Sequence, residues 1–281
     1  MVCDLRFLLQ LATFYLAPYA NERVEQNNVK VKSDGYVLEI IERVKNKIAM
    51  KNKEKERQKM NKKIETKDKR QITKDWLSRF PAFKEYKPMW LIRRNGAFLC
   101  GIHLQRRYGN INYEPIFHIY NLMIELPVIA FGAATYLLNN KGARDRVTLV
   151  QHKENFGCYA ERLKQQVSLL QKDTFSCQEF LAFLKKTSQD SIHHPYPSDL
   201  FQDIALALFW RGRIAEAEQE IKNAKKIISQ WDEIDKQQFN GESGWEQQVR
   251  QLMNMDILKA NVERQLHKYK LESFADFQLV C

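Results

Sequence analysis

His103 and His118 are the residues with the most suggestive chemistry, because each lies in an apolar run expected to form a strand. With Arg93, Arg94, Arg106 or Arg107 nearby, the pair could act as general base and acid on an RNA 2′-hydroxyl, an arginine stabilising the phosphate. His103, His118 and Arg106 are therefore the candidates for a metal-independent ribonuclease. The competing reading makes each histidine a hydrogen-bonded residue of the sheet. Cys100 and His103 have a ligand-like spacing, but on a strand positions three apart point to opposite faces and cannot easily share a metal. His193 and His194 sit beside Pro195 and Pro197 in an expected surface loop. Glu125, Asp145 and Glu154 are too isolated for a two-metal centre. No phosphate-cradling glycine loop, HExxH or GxSxG motif occurs. No metal or cofactor is expected, and a non-enzyme is the favoured reading. Cys158 is read as a small buried residue.

The elements that would position these residues are legible between 75 and 155. Asp75 to Phe80 reads as a short helix ending before Pro81. Met89 to Arg94 and Ala97 to Gln105 are apolar runs joined by Asn95-Gly96, a strong hairpin signal. In the second run Phe98, Cys100, Ile102 and Leu104 share one face, and Ala97, Leu99, Gly101 and His103 the other. Both faces are largely apolar, so the strand should be covered on both sides. Pro115 to Ile124 reads as a third strand and Val128 to Leu138 as a further core element. Asn121, Glu125, Pro127 and Gly132 interrupt the apolar window from Tyr120 to Leu138, which argues against a membrane span.

The chain has 281 residues, 45 Lys+Arg against 34 Asp+Glu, and a net charge of +11. Between Glu42 and Asp75 stand 14 basic and 6 acidic residues, so most of the excess is confined to one segment. Lys51, Lys53, Arg57, Lys62, Lys63 and Arg70 are its candidate contacts to nucleic acid. The same segment, with acids interleaved and no aromatic residue in Lys51–Arg70, also suits a solvated helix or linker. Phe7 to Ala17 is apolar but lacks a positive leader and a good cleavage site, so it reads as a helix or extension outside the main fold. Gly35 to Ile48 has an amphipathic helical pattern. The composition change at Met60 suggests that the residues before it are dispensable. Five scattered cysteines give no disulfide framework, and a cytoplasmic location is expected.

Beyond Asn155 the periodicity is helical. Tyr159, Leu163, Val167 and Leu170 recur at helical spacing, and Phe180, Leu181 and Leu184 follow a Ser176 cap. Ser188 to Ser198 is a polar, proline-containing break. Asn240 to Gly244 is read as a loop before one long stripe, Trp245, Val249, Leu252, Met255, Leu258, Val262, Leu266 and Tyr269. Phe201 to Ser229 places Ile204, Ala205 and Leu208 on a first helix, Gly212 in a turn, and Ala217, Ile221 and Ala224 on a second. This stretch resembles one tetratricopeptide repeat unit, with Phe201 at the usual Trp position and Ser229 at the usual Pro position. A generic helical hairpin would use the same letters.

The resulting expectation is an α+β chain in three parts. Residues 1–74 form an apolar segment and a basic helical linker, 75–155 a strand-rich core with a mainly antiparallel sheet, and 156–281 an all-α region. The resemblance implies a protein partner held by the helical half, with Phe201, Leu208, Trp210 and Arg213 as contacts. An immunity- or antitoxin-like role is one form this could take. Nucleic-acid binding through residues 43–74 is the alternative, and stable membrane insertion is not expected.

Overall fold

A computed structural model describes residues 42–54, 62–190 and 197–279. The expectations for Phe7–Ala17, Arg57, Met60 and His193–His194 lie outside them. The chain divides into two units, Met1–Lys59 and Met60–Cys281. In the first, residues 42–54 are helical, with Lys51 and Lys53 exposed and Ile48 half-buried.

The second unit opens with α1 (Thr66–Arg79), longer than the helix expected from Asp75. Its start lies within the basic run because Glu65 and Asp68 form a reciprocal capping box. Ile72, Thr73 and Trp76 turn inward, and the boundary expected at 74/75 falls inside this helix. Strands β1 (Lys84–Lys87), β2 (Trp90–Asn95), β3 (Phe98–Arg106), β4 (Asn112–Asn121), β5 (Ala133–Tyr136) and β6 (Val147–Thr148) follow. They form an antiparallel sheet in the order β1-β2-β3-β4-β5, with β6 also paired to β4.

The β2–β3 turn differs by one residue from the sequence reading. Asn95 pairs with Phe98, so Gly96 and Ala97 are the central residues, and of the two only Gly96 has positive φ. That is the type II′ requirement rather than the type I′ requirement that Asn-Gly suggested. Asn95 is held in the strand by its side chain, which accepts from Arg93 Nε (3.1 Å) and donates to the Phe277 carbonyl (2.6 Å). β4 begins before Pro115 and ends at Asn121. The proline is tolerated because its carbonyl side faces Leu137, between the stretches of β4 that pair with β6 and β5.

Helices α2 (Leu149–Gln166), α3 (Cys177–Ser188), α4 (Ser198–Trp210), α5 (Ile214–Ile228), α6 (Glu233–Lys236), α7 (Gly241–Leu252) and α8 (Met255–Lys268) complete the α+β architecture, whose C-terminal half is helical as expected. Thr148 and Ser176 cap α2 and α3, each through a capping box. α4 and α5 pair across a tight turn at Gly212 (φ +72°), burying Ala205, Leu208, Ala217, Ile221 and Ala224. The stripe from Trp245 to Tyr269 runs over two helices. Asn254 caps α8 through the Asp256 and Ile257 amides and breaks the run, while the expected loop at Gly241–Gly244 is already helical.

Both faces of the sheet are covered. Phe98 and Phe117 meet Phe180 and Phe183 of α3 on one face. On the other, Tyr120 donates to Gln265 of α8 (2.9 Å). One apolar core runs from Ile64 to Leu279, joining the strands to the helices. Cys158, read as buried, is exposed, because α2 turns His152, Ala160 and Leu163 inward instead.

Candidate functional site

The sheet brings His103 and His118 together on one face. His103 pairs with Ile116 and Gly101 with His118, so the histidines are diagonal neighbours across β3 and β4. Gly101 makes this possible: a Cβ there would lie 2.1 Å from His118 Nε2. Trp90 Nε1 donates to His118 Nε2 at 2.9 Å, which assigns the imidazole proton to Nδ1. Phe131 packs on both imidazoles, with ring centroids 5.1 Å from His103 and 4.5 Å from His118. Burial lowers the pKa of His103 to about 4 and of His118 to about 3. Both are therefore neutral at ordinary pH, and neither supplies the protonated acid that the ribonuclease reading needs. Arg106 is exposed and hydrogen-bonded to Asn110 (3.1 Å), while Arg107 is paired with Glu114 (2.6 Å). Cys100 faces the opposite side of the strand, as its spacing from His103 requires.

A second constellation escaped the sequence. His152 Nε2 lies 3.0 Å from Asp75 Oδ2, and His152 Nδ1 lies 2.7 Å from the Tyr113 hydroxyl, which accepts from Trp76 Nε1 at 3.2 Å. Asp75, His152 and Tyr113 follow the order of a catalytic triad, but Tyr113 is fully buried. Burial pushes its hydroxyl pKa up, and the arrangement acts as a strut joining α1, β4 and α2. These residues are 77 and 39 positions apart, so no local motif announces them.

A cleft of about 470 Å³ opens beside α4 and the ends of β4 and β5. Tyr120, Phe131 and Tyr136 give it aromatic walls; Asn121, Arg144, Asp199 and Asp203 supply polar groups. Phe131 separates it from the histidine pair. Asp203 is 4% exposed, and Asn121 Nδ2 donates to its Oδ1 at 2.7 Å. Burial outweighs that hydrogen bond and pushes the Asp203 carboxyl up to about 7. At Gly132 a Cβ would sit 3.5 Å from Asp203 Oδ2, so the missing side chain leaves room beside this oxygen. A buried carboxyl poised near neutrality in an apolar cleft marks a functional-site candidate. The overlooked cue was an acid on the inward stripe of a helix, between Leu200 and Ala207.

The expected partner contacts are dispersed. Leu208 is buried and belongs to the core, so it presents no surface to a partner. Phe201 is half-buried and stacked on Trp231 (6.4 Å), Trp210 packs against the core, and Arg213 is ion-paired with Glu216 (2.5 Å). Lys62, Lys63 and Arg70 are exposed in the second unit. Among the described residues no group of three or more His, Cys, Asp or Glu could hold a metal ion, and no helix is long and apolar enough to cross a membrane. No family model, curated protein or solved structure matches the chain.

Proposed function

We propose that this chain is a non-catalytic binding protein whose α4 cleft receives a lysine or arginine side chain of a protein partner. Asp203 carries the proposal: a buried carboxyl facing an aromatic-walled cleft, with the neutral Asn121 amide as its hydrogen-bond donor among the described residues. A long cationic side chain suits such a lining, its aliphatic stem along the rings and its charge at the carboxylate. Asp199 at the mouth adds a second carboxylate, and Arg144, stacked 3.6 Å above the Tyr136 ring, is a cation that an incoming one would displace or join. The α4–α5 hairpin supports the same reading, since units of the kind it resembles present helices to protein partners.

The test is an NMR titration with Nα-acetyl-arginine amide and Nα-acetyl-lysine amide, against an Nα-acetyl-norleucine amide control. Resonances of Asn121, Phe131 and Gln202 should move for the cations alone, and Asp203→Asn should abolish the response. Affinity should rise with pH through about 7, because the bound cation favours the ionised carboxyl. Equal responses to norleucine, or an unaltered response in the Asp203→Asn protein, would defeat this reading.

The second reading is nucleic-acid binding, favoured by the outer face of α1. Lys67, Arg70 and Lys74 lie exposed on it while Ile72 and Trp76 face inward, and Lys62 and Lys63 precede it. It requires duplex affinity that falls steeply with salt and weakens when these lysines are neutralised.

A further inference from the structure

Arg93 is a buried cation whose hydrogen-bond acceptors are all neutral. It is 2% exposed in β2 and sits among Phe175, Phe83 and Phe277, whose ring centroids lie 4.6, 5.1 and 6.0 Å from its guanidinium carbon. Nε donates to Asn95 Oδ1 at 3.1 Å, and Nη1 to the carbonyls of Asp173 (3.0 Å) and Lys172 (3.4 Å). Nη2 is buried without a hydrogen-bond partner. All of these acceptors are neutral. Cys100, its cross-strand neighbour, is also no counter-ion, since burial drives the thiol pKa up to about 11. A guanidinium cannot shed its proton to escape this environment, and an uncompensated buried charge is costly.

Arg93 also lines a cavity of about 180 Å³ whose wall includes Arg79, Lys164 and Lys172, with Asp173 as the one carboxylate. Lys164 and Lys172 pair with Glu161 (3.6 Å) and Glu179 (2.5 Å), both substantially exposed, and such pairs are weak enough to exchange. Four basic side chains thus line a space large enough for a small ion and water.

We propose that this cavity is a binding site for a tetrahedral oxyanion, inorganic phosphate or the end of a phosphate monoester, anchored by Arg93 and closed at its rim by Lys164 and Lys172. The guanidinium forms part of the cavity wall, and its planar fork suits phosphoryl oxygens. The site is separate from the Asp203 cleft and does not depend on the function proposed for it.

The full chain should be titrated with low-millimolar inorganic phosphate, methyl phosphate and adenosine 5′-monophosphate, at pH 7 and an ionic strength matched with chloride. Melting temperature and calorimetric binding are the readouts. The expected result is a saturable phosphate-specific stabilisation, weakened about tenfold or more in the Lys164→Met/Lys172→Met protein and absent in Arg93→Met. The double variant alters only rim lysines, so it decides the matter if Arg93→Met does not fold. Tighter binding of a monoester would identify the phosphoryl end of a larger ligand, and preference for phosphate itself a free anion. Identical melting in phosphate and chloride, or unchanged phosphate affinity in the double variant, would overturn the proposal.

Discussion

Asp203 and Arg93 are both buried ionisable groups, and the protein accommodates them in opposite ways. Asp203 has one amide donor, and burial shifts its carboxyl up to about 7, so a proton from solution can neutralise it. Arg93 has no such exit; it is held by two backbone carbonyls, an amide oxygen and three aromatic rings. A recognition site built on the acid is therefore switchable near neutral pH, whereas one built on the guanidinium stays charged at every ordinary pH. The two should separate cleanly in experiments that vary pH.

The largest effect is expected from Arg93→Ala. It removes a large side chain from among three phenylalanines and leaves the acceptors of Asn95, Lys172 and Asp173 unpaired. The expected loss is about 3–5 kcal/mol, read from urea unfolding. Arg93→Met keeps volume between the rings and should cost less. Equal, small losses in both would mean that neither the guanidinium nor its packing between the rings contributes to stability.

Asp203→Asn tests the other half of the contrast. A carboxyl whose pKa rises on folding contributes stability that is full below its unfolded value, near 4, and lost as pH rises through about 7. Above that pH the ionised group is a liability of up to about 4 kcal/mol, and the asparagine protein should be the more stable one. Its advantage should shrink toward pH 4. His103 and His118 act in the opposite sense. Their pKa values fall on folding, so their contribution is full above about 6.5 and lost as pH drops through about 4 and about 3. The two trends oppose one another between pH 4 and 6.5. Removing Asp203 should steepen the acid limb of the stability profile, and a pH-independent difference between the two proteins would refute the shift. Gly101→Ala should cost about 1–3 kcal/mol by pushing His118 from Trp90, measured as a lower urea midpoint.

The sequence made the architecture legible where local chemistry decides it. The apolar runs flanking Asn95-Gly96 placed the β2–β3 hairpin, and the Ser176 cap placed the start of α3. It misled where a side chain acts over distance or interrupts a pattern. Asn95 looked like a turn residue but is tied to Phe277, 182 positions away. Asn254 broke a stripe whose apolar spacing continued unaltered. Neither Asp203 nor Arg93 was singled out as a buried charge, although both occupy inward positions, one between Leu200 and Ala207 on a helix, the other between Leu91 and Asn95 on a strand. A charge on an apolar stripe was the available signal. Its consequence depends on surroundings assembled from distant segments, which periodicity does not contain. The Asp75–His152–Tyr113 strut left no comparable trace.

The smallest expected effect sharpens the contrast from the surface. Arg250 pairs with Glu218 (2.7 Å) and Glu246 (2.9 Å), so it has two carboxylates where Arg93 has none. Its side chain is 41% exposed, and solvent and salt screen both contacts. Arg250→Met should therefore cost no more than about 1 kcal/mol, a difference that shrinks further in high salt. The loss in Arg93→Ala should persist there, because it arises from packing and unpaired buried acceptors. Measuring both variants at low and high sodium chloride separates a charge that merely has partners from one that the core is built around. If the Arg250 loss were the larger, or the Arg93 loss the salt-sensitive one, ion-pair number rather than burial would govern these arginines.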